Sequence, residues 1–193
     1  MFSEHHGAIQ RPGAMEAAAR VRFLVLDVDG VCTDGNLYFD GNGVALKAFH
    51  SRDGIGIKTA LRSGLGIGII SGRDDPSVRA RMTQLGVTEY HPGHEQKLPA
   101  LDEIRCRLGL EFDQMAYMGD DWIDLDPMRA VGMPLAVADA ATEVRNAALY
   151  VTAACGGRGA VREAVEFLLN ARQPGTRLAE LWTTLAPGAH ERA

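Results

Sequence analysis

Six short apolar runs, FLVLD, GIGII, EYH, QMAYMGD, PLAVA and ALYVT, alternate along the chain with segments of helical character such as DGIGIKTALRS, DPSVRARMTQLG, KLPALDEIRCRLG and DLDPMRAVG. In FLVLD the consecutive, largely branched apolar residues leave no polar face, so this run predicts a strand covered on both sides, and the others read as strand-like runs. Strands separated by whole helices are parallel, because a tight turn joins only antiparallel neighbours. Right-handed crossovers then place every strand's carboxyl end on one edge of the sheet. The expected fold class is therefore α/β, a three-layer doubly wound parallel sheet.

With 193 residues, the chain suits one domain. That domain is expected over 21–170, after an extension over 1–20 that reads as disordered and carries the His5-His6 pair. A tail over 171–193 carries the Pro174-Gly175 break, and its Leu178, Leu181, Trp182 and Leu185 lie at helical spacing, as in a short docking helix, with a poorly ordered extension as the alternative reading. Between the first strand and the first helix lies NLYFDGNGVALKAFHS, two alternating apolar segments around Asp40-Gly41-Asn42-Gly43. This predicts a small β-hairpin flap. The roughly 40 residues between Asp29 and Ser71 are filled by that flap and a helix, so no cap domain is expected.

Composition bounds the partners. A net charge of −5 argues against a nucleic-acid or anionic-membrane surface, and no run approaches the roughly 20 apolar residues of a membrane span. Three cysteines, Cys32, Cys106 and Cys155, are odd in number and form no C-x-x-C pair, which fits a reducing cytoplasm. Cys32 stands near acids that would raise its pKa, so it reads as a small hydrophobe rather than a nucleophile.

The strand ends carry the chemistry. Asp27 and Asp29 follow the first run, Ser71 and Gly72 the second, and Asp120 and Asp121 the fourth, while Lys97 opens the helix after the third. All fall on the carboxyl edge, so they are expected to converge on one crevice. Clustered carboxylates need a counter-cation, and an all-oxygen set favours Mg²⁺. In this arrangement Asp27 attacks phosphorus while Ser71, backbone N–H groups and Lys97 hold the phosphate. Asp29 protonates the leaving alkoxide and then activates water. Asp120 completes the metal shell, and Asp121 and Asp124 orient Lys97 or metal-bound water from behind. Asp34, Asp40 and Asp53 read as turn or cap residues, and Arg52 as either a solvated charge or a ligand-facing group.

DVDG at 27–30, SGR at 71–73, Lys97 and GDDWID at 119–124 together resemble the four motifs of the haloacid dehalogenase superfamily of phosphatases. The wider set, DVDGVCTDG, FHSRDGIGIK at 49–58, IISGR, VRARMTQLGV, YMGDDWIDLDPM and GGRGAVRE at 156–163, is similar to the 3-deoxy-D-manno-octulosonate 8-phosphate (KDO 8-phosphate) phosphatase family, from about Val21 to Leu169. The resemblance implies a capless, HAD-like Rossmannoid phosphatase of lipopolysaccharide sugar biosynthesis. It implies Asp27 as nucleophile, Asp29 as acid/base whose main-chain carbonyl also binds Mg²⁺, and Asp120 as the third protein ligand. It further implies Ser71, Gly72 and Lys97 at the phosphate, Arg73 and Arg81 facing the sugar acid, and a cytoplasmic homotetramer in which a neighbour helps to close each site. Cys32 departs from the Leu common at its position in the family. The alternative substrate is a nine-carbon 2-keto sugar acid 9-phosphate. A receiver-type signalling domain also clusters acids, Mg²⁺, a hydroxyl and a lysine, but Asp29 separates the two, since a long-lived phosphoaspartate needs no second acid.

Overall fold

The computed structural model describes residues 7–39, 41, 45–175 and 178–184. The apolar runs become parallel strands as read. Phe23–Leu26 (β2) is buried at all four residues, and a strand buried on both faces needs neighbours on both sides. These are Gly66–Ile70 (β5), with Leu26 beside Ile69, and Met115–Gly119 (β7), with Leu26 beside Met118. Glu89–His91 (β6), Met133–Ala136 (β8) and Tyr150–Val151 (β9) extend the sheet, and Ile9–Gln10 (β1) closes it. The order is β1-β9-β8-β7-β2-β5-β6, parallel except for β1 against β9.

The helices follow from the crossovers. Ser51–Arg62 (α2) leads to β5, Pro76–Leu85 (α3) to β6, and Lys97–Leu108 (α4) to β7. Ala160–Arg172 (α7) packs on α2 and on Ala14–Arg20 (α1), while α4, Leu125–Ala130 (α5) and Thr142–Ala147 (α6) pack in series. Progress along the sheet reverses between β2 and β7, so the crevice between their carboxyl ends is the topological switch point, where open α/β sheets place ligands.

Tyr38–Phe39 (β3) and Ala45–Leu46 (β4) pair antiparallel, Tyr38 beside Leu46, and form the flap. Asp40, Asn42 and Gly43 of its turn lie outside the described residues. Among the described residues β5 runs directly into α3, and no cap domain interrupts the sheet.

The reading of 1–20 as a disordered extension is corrected over 9–20. Ile9 lies beside Val151 and Gln10 beside Tyr150 in the sheet. Arg11 donates from Nε to the Ala148 carbonyl (2.8 Å) and from its guanidinium to that of Arg145 (3.0 Å). Ala14, Ala17 and Ala18 of α1 are buried, because small side chains on one helical face allow close approach to α7. An alanine stripe carries little hydrophobicity by itself, and only the partner surface makes its burial effective. His5 and His6 lie outside the described residues. In the tail, Leu178–Thr184 forms a helix (α8), with the Arg62 guanidinium 4.2 Å from the Trp182 ring centre; Leu185 lies outside the described residues. No helix among the described residues is long and apolar enough to cross a membrane.

Candidate active site

The Asp27 N–H donates to the Met118 carbonyl at 3.0 Å, holding the ends of β2 and β7 together. Beyond Asp27 the chain folds tightly on itself, with the N–H groups of Val31, Cys32 and Thr33 all donating to the Val28 carbonyl. Gly30 sits at φ +94°, and a Cβ there would run into the Asp120 carboxylate, so this loop depends on glycine to let the two acidic strand ends approach. A Cβ at Gly156 would likewise meet the Gly30 carbonyl, which shows that the GGRG segment lies directly against the loop.

Lys97 is the electrostatic centre. Its side chain, at the first turn of α4, is 0% exposed and its Nζ donates to Asp27 Oδ1 at 2.5 Å and Asp124 Oδ1 at 2.7 Å. Asp124 is saturated. Its Oδ1 also accepts from the buried Tyr117 hydroxyl at 2.8 Å, and its Oδ2 accepts from the N–H groups of Asp120 (3.0 Å) and Asp121 (3.3 Å). Four donors occupy the four acceptor positions of a carboxylate, so Asp124 positions Lys97 and the Asp120 backbone. Asp121 is exposed and accepts from the Trp122 N–H at 2.8 Å, a local cap without contact to Lys97.

Carboxylate oxygens of Asp27, Asp120 and Asp124 lie within 4.8 Å of one another, with Lys97 as the cation bound among them. Burial, and then the Asp124 charge, push the Asp27 carboxyl up to about 7 despite Lys97. Burial, and then the charges of Asp27 and Asp124, push Asp120 up to about 8. One ammonium does not neutralise three carboxylates, and an all-oxygen donor set short of positive charge fits a hard divalent cation. Because Asp124 is saturated, Asp27 and Asp120 are the side chains with oxygens to give.

Ser71 follows β5 directly, is 2% exposed and accepts from the Arg73 N–H at its Oγ (3.2 Å). Gly72 follows it at the same edge. Asp29, two residues beyond Asp27, is half-buried and is engaged by the Nζ of Lys47, the residue after β4.

Neither predicted arginine bonds to these acids among the described residues. Arg73 is exposed, while Arg81 lies between α2 and α3 with Cys32, Phe49, His50 and Asp53, donating to Gln84 Oε1 at 2.8 Å. Cys32 is buried there, and burial, then the charges of Asp53, Asp27 and Asp29, raise its thiol well above the ordinary range, which leaves it unreactive. Asp53 is a cap for a distant helix, accepting from the N–H groups of Gly159 (3.2 Å) and Arg162 (2.8 Å) at the start of α7. Asp34 makes a local turn to the Asn36 N–H at 3.2 Å, Asp40 lies outside the described residues, and Arg52 is exposed.

Sequence reading missed Tyr117 and Lys47. Tyr117 sits in an apolar strand run, where nothing distinguishes a tyrosine that packs from one that also donates. Lys47 had a signal: it is the one lysine between Asn36 and Phe49, in a segment placed beside the acid pair.

The family model for haloacid dehalogenase-like hydrolases matches residues 77–161. The 3-deoxy-D-manno-octulosonate 8-phosphate phosphatase of Escherichia coli K12 is 45% identical over 155 residues, covering 80% of this chain and 82% of that protein. The crystal structure of the Yersinia pestis phosphatase of the same name superposes with a TM-score of 0.82 at 42% identity, covering 83% of this chain and 87% of that one. That of Moraxella catarrhalis, in complex with a magnesium ion, a phosphate ion and a KDO molecule, superposes with a TM-score of 0.81 at 34% identity, covering 82% and 91%. With identity of this order sustained over four-fifths of its length, the chain belongs to the 3-deoxy-D-manno-octulosonate 8-phosphate phosphatase family of haloacid dehalogenase-like hydrolases.

Proposed function

We propose that the protein is a Mg²⁺-dependent phosphomonoesterase that hydrolyses KDO 8-phosphate to KDO and inorganic phosphate. The observation that carries this reading is the buried Asp27–Lys97–Asp124 chain beside Asp120, in a member of this family. Asp27, Asp120 and the main-chain carbonyl of Asp29 would hold Mg²⁺, which when bound would supply the positive charge that lets a phosphate dianion approach a buried carboxylate. Asp27 forms a bond to phosphorus as the bond to the sugar oxygen breaks, and Asp29 gives that oxygen its proton. Asp29, now a carboxylate, takes a proton from the attacking water, and the phosphoaspartate bond breaks to release phosphate. Ser71, the Gly72 backbone and Lys97 hold the phosphate oxygens throughout, and Asp124 keeps Lys97 in place. Arg73 and Arg81 are the cations proposed for the acid end of the substrate.

The test is kcat/KM across KDO 8-phosphate, a nine-carbon keto-acid 9-phosphate, ribose 5-phosphate and p-nitrophenyl phosphate, with Mg²⁺ and after chelation. KDO 8-phosphate is expected to lead by tenfold or more, about 1.4 kcal/mol of transition-state preference, with activity lost on chelation. A tenfold lead for the nine-carbon compound moves the substrate assignment to that acid, and full activity without metal overturns the chemistry.

Assembly belongs to the same proposal, a cytoplasmic homotetramer. Leu37, Tyr38, Phe39 and Leu46 of the flap are exposed, and Trp122 and Ile123 are exposed beside Asp121. Apolar residues clustered at the mouth of an uncapped crevice favour cover by neighbouring copies, which would also exclude water from the reaction. Light scattering is expected to give about four times the 20.8 kDa chain mass; a fully active monomer at micromolar concentration would rule the assembly out.

A further inference from the structure

The buried cation that this reaction leaves without a task is Lys47. Its side chain is 2% exposed, deeper than that of Asp29 at 28%. A lysine on a surface hairpin ordinarily keeps its ammonium in water, and burying the charge costs several kcal/mol unless it is paired. Here Nζ turns inward, donates to Asp29 Oδ1 and lies 4.0 Å from Asp75 Oδ2. Asp75 is itself fixed as the N-cap of α3, its Oδ1 accepting from the Ser77 N–H (2.8 Å) and hydroxyl (2.7 Å). Two carboxylates from separate elements thus converge on one ammonium carried by the flap.

We propose that Lys47 is a positioning residue for Asp29, fixing the rotation of the carboxyl group that exchanges a proton with the sugar oxygen. Among the described residues no other side-chain hydrogen bond reaches that carboxyl, so Lys47 determines which oxygen is left for the transfer. Asp75 serves as the second counter-charge, so that the ammonium stays compensated at each stage of the cycle. The flap therefore contributes to the chemistry through one atom. This rests on the acid–base reading of Asp29, and the experiment separates the two.

Lys47→Met, Lys47→Gln and Lys47→Arg are compared with wild type and Asp29→Asn on alkyl esters (KDO 8-phosphate and ribose 5-phosphate) and on p-nitrophenyl phosphate, with folding checked by thermal unfolding. The ratio kcat/KM reports the steps through phosphoryl transfer to Asp27, and only an alkoxide leaving group needs the proton. Lys47→Met and Lys47→Gln are expected to lower kcat/KM ten- to hundredfold on the alkyl esters and less than threefold on p-nitrophenyl phosphate, with Lys47→Arg recovering most of the loss. Equal losses on both ester types would place Lys47 at phosphorus and overturn the proposal, as would wild-type values for both neutral variants. Loss in Asp29→Asn with none in the folded Lys47 variants sinks the proposal alone, and undiminished turnover in Asp29→Asn sinks it together with the acid–base reading.

Discussion

Asp27→Asn is expected to abolish phosphate release, by at least about 10⁴-fold, the scale seen when a covalent nucleophile is removed. The amide is a poor nucleophile and a weak ligand for a hard cation, so one substitution removes both the proposed attacking oxygen and a proposed metal ligand. The fold is expected to survive, since Asp124 still holds Lys97. A second readout is thermal stability without metal. Folding raises the Asp27 carboxyl to about 7 and Asp120 to about 8, from 3.8. The folded chain therefore keeps protons that the unfolded chain releases, and metal-free stability falls as pH rises from about 4 through 8. Asp27→Asn deletes one of these groups and relieves the other, so its melting temperature should fall less steeply over pH 5 to 8. Equal phosphate release by variant and wild type would refute the nucleophile assignment, and a steeper slope would refute the electrostatic account.

Lys97→Ala is expected to be the most destabilising single change in the site. Lys97 lies fully buried between Asp27 and Asp124, and removing one partner of a buried ion pair costs roughly 3–5 kcal/mol because the remaining charges are left uncompensated. For a chain of this length that corresponds to a drop in melting temperature of about 6–20 °C. The drop should be larger at pH 8 than at pH 5, because burial holds the Asp27 carboxyl up at about 7, so at pH 5 it is protonated and leaves no charge there for Lys97 to offset. On the proposed mechanism, in which the ammonium also faces charge developing at phosphorus, turnover should fall by about 10²–10³-fold or more. Melting curves of wild type and variant without metal, at both pH values, supply the check; a drop that is equal or smaller at pH 8 would contradict the ion-pair account.

The strands, their parallel order and the acids at their ends were legible because each rests on local pattern. FLVL and MAYMG read as buried strands, and the helical segments that separate successive strands of the sheet act as crossovers, which makes the strands parallel. Parallel strands present their carboxyl ends at one edge of the sheet, and that edge groups Asp27, Ser71, Lys97 and Asp120. The role of Asp124 was partly legible, since GDDWID places it one turn from Asp120, but its saturation was not. That depends on the hydroxyl of Tyr117, which sequence reads only as strand core.

What tertiary structure decided has one physical origin. Polar side chains choose partners by distance in space, and neither periodicity nor propensity records those distances. Asp53 reads as a local turn or cap, yet it caps α7 through Arg162, 109 residues away. The alanines of α1 carry too little apolar surface to specify order by themselves and become core only against α7. Lys47, an ordinary flap lysine by sequence, is drawn to Asp29 and Asp75 because the hairpin lies over the edge where those two loops meet. Which residues stand at the strand ends was thus determined by sequence pattern, whereas which of them touch, and so how their charges balance, was determined by packing.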